Sequence, residues 1–119
     1  MIIPTHNSER TIVNCINSLI SQSFPRERFE IIVIDDGSTD ETTNLAKSAG
    51  ADLVVGTEPC FQGKARNVGV SNSRSNLLAF IDSDCEAQEG WLNSILQGLE
   101  KFAAISGSIE NGSFHSLVG

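Results

Sequence analysis

The sequence predicts an α/β domain with a mainly parallel sheet flanked by helices. Three observations lead there. Short apolar runs alternate with stretches of helical periodicity along the chain, the pattern of parallel strands joined by crossover helices. Two of the apolar runs, Glu30-Ile-Ile-Val-Ile-Asp35-Asp36 and Leu77-Leu-Ala-Phe-Ile-Asp82-Ser83-Asp84, stop abruptly at carboxylates. An apolar run hides a strand in a core, and polar residues at its C-terminal end then face the crevice where open α/β sheets bind ligands. Finally, 119 residues suffice for one domain, 1–119, with a real core but hardly for two.

Taken in order, Met1-Ile2-Ile3-Pro4 reads as the last part of a first strand. Asn7 or Ser8 is placed to cap a helix running to about Ser23, because Ile12, Cys15, Ile16, Leu19 and Ile20 recur at helical spacing. Pro25 stops it. Residues 30–35 form the second strand. Ser38-Thr39-Asp40-Glu41 has the form of a capping box for a helix through about Ala49, closed by Gly50. Ala51 to Val55 is a third strand, and Glu58 to Gly63 a loop around Pro59. Lys64 to about Ser73 is a helix of weak intrinsic propensity, given Val68, Gly69, Val70 and its Asn residues. Residues 77–82 form a fourth strand. Gln88 to Lys101 is an amphipathic helix with Trp91, Leu92, Ile95, Leu96 and Leu99 on one side. Ala104 to Ile109 is a fifth strand, and the residues after it are weakly patterned. A first strand that opens at residue 1 is short for a central strand, so the chain reads as a piece cut at both ends.

Hydrophobic residues make up 39% and charged residues 19% of the chain, ordinary values for a globular protein. No stretch approaches the roughly 20 apolar residues of a membrane span, and no basic region followed by an apolar stretch opens the sequence. The expected location is the cytoplasm, or the cytoplasmic face of the membrane in a longer parent. A net charge of −7 argues against non-specific nucleic-acid binding, although a metal and a few local cations can reverse the field within one cleft. Cys15, Cys60 and Cys85 are odd in number and widely spaced, which points to reduced thiols and away from a zinc site or a redox pair. Cys15 falls on the apolar face of the first helix. Asn111-Gly112-Ser113 matches a glycosylation sequon and, without a secretory signal, reads as chance.

The chemistry-bearing residues gather at the predicted strand ends. Asp82 and Asp84 are two apart, so in a strand they point to one side and can reach a single hard cation, directly or through water, while phosphates complete its shell. At Asp35-Asp36, Ser38 and Glu41 already supply the helix cap, which leaves both aspartates spare; Asp36 in particular suits a base N–H or ribose hydroxyls. Lys64 and Arg66 lie near the start of a helix after Gly63 and suit phosphate or an anionic leaving group. His6, after Pro4-Thr5, stands at a strand C-terminus and can stack on or hydrogen-bond a base.

In order along the chain, Ile2-Ile3-Pro4-Thr5-His6-Asn7, Ile32-Val33-Ile34-Asp35-Asp36-Gly37-Ser38-Thr39-Asp40, Gly63-Lys64-Ala65-Arg66-Asn67-Val68-Gly69 and Phe80-Ile81-Asp82-Ser83-Asp84 resemble the motifs of the nucleotide-binding half of family 2 glycosyltransferases with the Rossmann-like GT-A fold. A Tyr commonly stands where this chain has His6. Cys85 and Trp91-Leu92 fit a subgroup with Asp-x-Asp-Cys and a Trp-Leu helix. The resemblance covers nearly all of the chain. It implies a nucleotide-sugar site made of Pro4, Thr5, His6, Asn7, Asp35, Asp36, Lys64, Arg66, Asp82 and Ser83. Asp36 would contact the base, Arg66 would lie close to the nucleotide, and Asp82 and Asp84 would flank the diphosphate, with Asp84 the more direct ligand of Mg²⁺ or Mn²⁺. The implied reaction is metal-dependent, inverting transfer of a sugar from a nucleotide-diphosphate sugar, most commonly a UDP-sugar, to an acceptor hydroxyl. The acceptor stays open among polysaccharide, lipid-linked oligosaccharide and protein.

Whole catalytic domains of that family are much longer, and the resemblance implies that the acceptor half and the general-base carboxylate come beyond Gly119. Glu110, the last carboxylate of the chain, has no feature that makes it the base. The expectation is therefore a donor-binding part with no catalytic base of its own, weak or absent activity alone, and uncovered apolar surface that favours a homodimer. Three other readings compete. A haloacid-dehalogenase-type phosphatase partly fits Phe80 to Asp84, although Glu86 stands where its Thr belongs. A receiver-like signalling domain has a similar length, but its acidic pair closes the first strand. The last is a nucleotide-binding module without catalysis.

Overall fold

β-Branched side chains dominate the two central strands, and the architecture follows from burying them on both faces. In the computed structural model, which describes residues 1–59, 62–102, 106–110 and 113–117, β1 (Ile2–Thr5), β2 (Ile32–Asp36) and β3 (Leu53–Thr57) form a parallel sheet in that order. Ile2 pairs with Ile32 and Ile32 with Leu53, and the register continues to Asp36 opposite Thr57. Alternate side chains leave by opposite faces. Ile3 and Val33 enter the larger core with Ile12, Cys15, Ile16 and Leu19 of α1 (Ile12–Ile20), Ala46 of α2 (Thr42–Ala49), and Trp91 and Leu92 of α4 (Trp91–Leu99). Ile2, Ile32 and Ile34 enter a smaller one against Ala65 and Val68 of α3 (Gln62–Asn72). Full burial of one such Ile or Val contributes about 1.5–3 kcal/mol, so the ends of β1 and β2 are firmly fixed where the polar residues begin. Helix α3 lies close on β1 because residue 69 is Gly: a Cβ there would overlap Cγ2 of Ile2.

A further segment lies on the other side of β1. Phe80 bridges Ile2 in parallel; the Ile2 amide donates to the Ala79 carbonyl at 2.8 Å and the Ile81 amide to the Ile2 carbonyl at 3.2 Å. The strand expected over 77–82 is thus reduced to one bridge. In this register residues 77 and 78 run past Met1 and have no β1 backbone beside them, and Leu77 is exposed. Across the sheet the order is 79–81, β1, β2, β3. The chain steps outward from β1 to β3 and then returns to the far side of β1. Such a reversal is the topological switch point at which open α/β sheets form ligand crevices.

A second, smaller sheet follows. β4 (Glu86–Ala87) pairs in parallel with β6 (Ser113–Leu117), which pairs antiparallel with β5 (Ser106–Glu110). The strand expected over 104–109 corresponds to β5, with 104 and 105 outside the described residues. β6 was unforeseen, because Ser-Phe-His-Ser-Leu carries few apolar positions.

Several expected boundaries move. α1 begins at Ile12 and ends at Ile20, not at Asn7 or Ser8 and about Ser23. Asn7 takes a left-handed conformation with φ 46°, and Ser8 receives the Thr11 and Ile12 amides on its carbonyl, not its hydroxyl. The capping box at Ser38 to Glu41 does not form; Asp40 accepts the amide and hydroxyl of Thr42 instead. Gly50 closes α2 at φ 110° as expected. β2 and β3 begin two residues later than expected because the Asp52 carboxylate takes the Ile31 amide at 2.7 Å and the Arg26 guanidinium at 2.6 Å. α3 begins at Gln62, inside the expected loop. α4 is the inner part of the expected 88–101 helix, entered through Gly90 at φ 82°. Cys60, the Asn111-Gly112 part of the sequon and Gly119 lie outside the described residues. Among the described residues no helix is long and apolar enough to cross a membrane. Among the described residues an apolar groove of about 310 Å³ lies beside Met1, lined in part by Phe24, Leu77, Leu78, Ile95 and Leu99.

Candidate functional site

At the switch point the strand ends enclose a cleft of about 380 Å³. The exit of β1 supplies Pro4, Thr5, His6 and Ser8; the end of β2 supplies Asp36; the turn after 79–81 supplies Asp82, Ser83 and Asp84; and α3 contributes Ala65 to the wall. Three acidic side chains, Asp36, Asp82 and Asp84, therefore converge here, whereas Arg66, expected to join them, lies outside the lining. Among the residues singled out from sequence, Asn7, Asp35, Lys64 and Arg66 are not part of this lining.

The two strand exits are fastened to each other by side chains that look like helix caps in the sequence. Asn7 accepts the Thr39 amide on its side-chain oxygen at 2.9 Å, and its own amide donates to Ser38 Oγ at 2.8 Å. The Ser8 amide donates to Thr42 Oγ1 at 2.8 Å, and Glu9 accepts the Glu41 amide at 3.2 Å. His6 joins the same fastening: Nδ1 lies 2.7 Å from the Asp36 carbonyl and Nε2 3.3 Å from the Asn7 side-chain amide. A carbonyl only accepts and an amide nitrogen only donates, so these contacts suit the tautomer with its proton on Nδ1. The imidazole thus stands at the cleft wall in one orientation beside Asp36.

Asp35 is not the spare carboxylate expected. It is buried; Oδ1 accepts the Ser38 amide at 3.1 Å and Oδ2 the Thr43 hydroxyl. Because no Ser38 cap forms, this carboxylate holds the turn into α2, and its neighbour Asp36 faces the cleft. Arg66 reaches the cleft's edge, where Nη2 pairs with Asp82 Oδ1 at 3.4 Å; both side chains are more than a third exposed, so the pair is worth well under about 1 kcal/mol. It orients Asp82 more than it stabilises the fold. Lys64 is exposed on the first turns of α3.

Two features mark the cleft as built for a polar ligand. Thr5 Oγ1 is buried and has no hydrogen-bond partner among the described residues, in a wall where an unpaired hydroxyl costs about 1–3 kcal/mol. Asp82, Asp84 and Cys85 present ligand atoms within 4.8 Å of one another. Burial first, and then the Asp84 and Asp82 charges, push the Cys85 thiol up to about 11, so it is a donor to Asp84 Oδ1 at 3.6 Å. Burial likewise pushes Cys15 up to about 12, with Cys85 adding to it, and its thiol faces the Asp82 carbonyl at 3.6 Å. The thiols brace the turn, leaving two carboxylates on an exposed rim. That donor set fits a hard divalent cation with phosphate and water on its open side. Sequence reasoning missed Ser8 and Ala65 in the lining. Ser8 resembled a helix cap, and Ala65 carries no chemistry to notice.

A family model described as glycosyl transferase family 2 matches residues 1–115. The chain is similar to the glycosyltransferase AglE of Haloferax volcanii, 37% identical over 97 residues that make up 77% of this chain and 32% of AglE. Among solved structures, residues 1–349 of S. aureus TarS in complex with UDP-GlcNAc match with a TM-score of 0.80 at 32% identity, over 93% of this chain and 34% of that one. Glucosyl-3-phosphoglycerate synthase from Mycobacterium tuberculosis, in complex with Mg²⁺ and uridine-diphosphate, matches with a TM-score of 0.72 at 27% identity, over 89% of this chain and 40% of that one. The chain thus spans about a third of the length of these relatives.

Proposed function

Because this chain belongs to glycosyl transferase family 2, we propose that its cleft binds the nucleoside diphosphate of a nucleotide sugar together with Mg²⁺ or Mn²⁺, as the donor-binding part of an inverting transferase. The observation that carries this reading is the convergence of Asp36 with Asp82 and Asp84 in one cleft at the switch point of the sheet. Family membership also removes the grounds for a phosphatase or a receiver domain.

In this reading the base and ribose lie against Pro4, Thr5, His6 and Asp36. The His6 ring offers a flat face, the Asp36 carboxylate accepts from N–H or hydroxyl groups, and the Thr5 hydroxyl gains the partner it lacks. Asn7 and Asp35 act one step back by holding the two turns. The diphosphate lies towards Ser83, Asp82 and Asp84, with Arg66 and Lys64 on the α3 side supplying positive charge. Asp84 and Asp82 would hold the cation, which when bound stabilises negative charge on the leaving diphosphate. The acceptor hydroxyl oxygen forms the new bond to the anomeric carbon as the bond to the diphosphate oxygen breaks. The hydroxyl proton goes to a base that we assign to none of the described residues. We take uridine as the nucleoside because the TarS and M. tuberculosis structures hold UDP-GlcNAc and uridine-diphosphate. The protonated, unpaired thiols of Cys15 and Cys85 support a reducing, cytoplasmic setting, at the membrane face if a longer parent is anchored there. Self-association over the groove beside Met1 belongs to the same reading and is checked by sedimentation velocity.

The test is calorimetric titration of UDP in Mn²⁺ and in chelator, for the wild type and for Asp84→Asn. Binding that is much tighter in Mn²⁺ than in chelator, with the difference lost in the variant, is the expected result. Equal binding with and without the cation, or equal binding by the variant, overturns the assignment of the acidic turn.

A further inference from the structure

Ser8 bonds to the turn after 79–81, to the exit of β1 and to the start of α2. Its hydroxyl lies 2.8 Å from the hydroxyl of Ser83 and 3.2 Å from the carbonyl of His6. A serine hydroxyl carries one proton, and the His6 carbonyl can only accept. Both contacts are met by a relay in which Ser83 donates to Ser8 and Ser8 donates to His6. The backbone of Ser8 is itself pinned, its amide on Thr42 Oγ1 at 2.8 Å and its carbonyl under the Thr11 and Ile12 amides at 3.0 and 2.9 Å. One end of the relay is thus anchored to the starts of α1 and α2. The other end is Ser83, buried between two carboxylates that repel each other. A bond at that middle residue resists the spreading of the turn.

We propose that Ser8 is a positioning residue: through Ser83 it holds the Asp82-Ser83-Asp84 turn in register with the His6 and Asp36 side of the cleft, and so couples cation–diphosphate binding to nucleoside binding. This inference rests on the donor-site reading above. Ser8 acts through another side chain, so its removal weakens the cation-dependent part of binding most. A hydroxyl that served stability alone would shift the unfolding midpoint and leave the cation dependence intact.

The experiment is a double-mutant cycle with Ser8→Ala, Ser83→Ala and both together, plus Ser8→Thr, each titrated with UDP in Mn²⁺ and in chelator, with thermal midpoints recorded. Ser8→Ala is expected to weaken UDP binding in Mn²⁺ by about threefold to tenfold, the worth of one neutral hydrogen bond, and to weaken it less in chelator. The double variant should bind no more weakly than the weaker single variant, and Ser8→Thr should recover most of the loss. Additive losses in the double variant overturn the inference, as do equal losses with and without Mn²⁺ or a midpoint shift with unaltered UDP affinity. If the wild type fails to bind UDP in Mn²⁺, the donor-site reading falls and takes this inference with it; that outcome is distinct from a binding wild type with additive variants.

Discussion

Replacing Thr5 by Val removes one hydroxyl while keeping volume and β-branching in a fully buried strand. In the ligand-free chain that hydroxyl is buried and unpartnered among the described residues. Leaving a polar group so placed costs about 1–3 kcal/mol, and Thr5 lies at a cleft wall, so we take the low end. The free variant should be more stable by about 1 kcal/mol, or about 4 °C for a chain of this size. In the complex the sign reverses. A hydroxyl that finds its partner on the nucleotide contributes about 0.5–1.5 kcal/mol there, and its loss weakens UDP binding by about twofold to twelvefold. Urea unfolding of the free chain and calorimetric titration with UDP and Mn²⁺ measure the two effects separately. A free variant that is less stable than wild type by about 1 kcal/mol would show that the hydroxyl is already satisfied. Unchanged UDP affinity would show that it does not meet the ligand. Either result refutes the reasoning.

Gly69→Ala drives a Cβ into Cγ2 of Ile2, and overpacking of this kind costs about 1–3 kcal/mol; the urea midpoint should fall, and Ile2→Ala in the same chain should make the pair lose less than the sum of the singles. Asp35→Asn turns one donor-bearing edge of the amide towards the Ser38 amide or the Thr43 hydroxyl, so stability should drop by about 1–3 kcal/mol, with weaker UDP binding alongside because Asp36 leaves the same turn. Cys15 and Cys85 are pushed up from 9.0 to about 12 and about 11, by burial first in each case. The unfolded chain therefore loses these protons first as pH rises. Stability should be full below pH 9 and decline as pH climbs through about 11 and 12, and Cys15→Ala should flatten the decline in urea midpoints measured at stepped alkaline pH.

The acidic residues that face the cleft were legible because each follows an apolar run, one buried throughout at 31–34 and the other buried at Ile81. Gly50 was legible for a similar reason, since a left-handed closing position has few other solutions. What misled were short polar side chains with two uses. Asn7, Ser8, Ser38 and Asp40 all suit local caps, and in the fold Asn7, Ser8 and Ser38 bond across between the β1 and β2 exits. Nothing in a one-dimensional pattern distinguishes a local partner from one thirty residues away. The same ambiguity made Asp35 look spare. The 77–82 run reads as a full strand and keeps only one bridge, because its length of pairing depends on how much neighbouring backbone β1 offers. Trp91 and Leu92 gave away α4 by periodicity, whereas β6 depends on its partners β4 and β5 more than on its own residues.

The turn at Asp82 to Asp84 is also a seam. Behind it Ile81 is bonded to Ile2 of the first sheet, and just beyond it β4 begins the second. An occupant gripped by both carboxylates would act as a rivet at the junction of the two sheets. Filling the cleft should then slow amide hydrogen exchange in β5 and β6, far from any contact with the nucleotide, because binding to the closed form opposes every opening along that line.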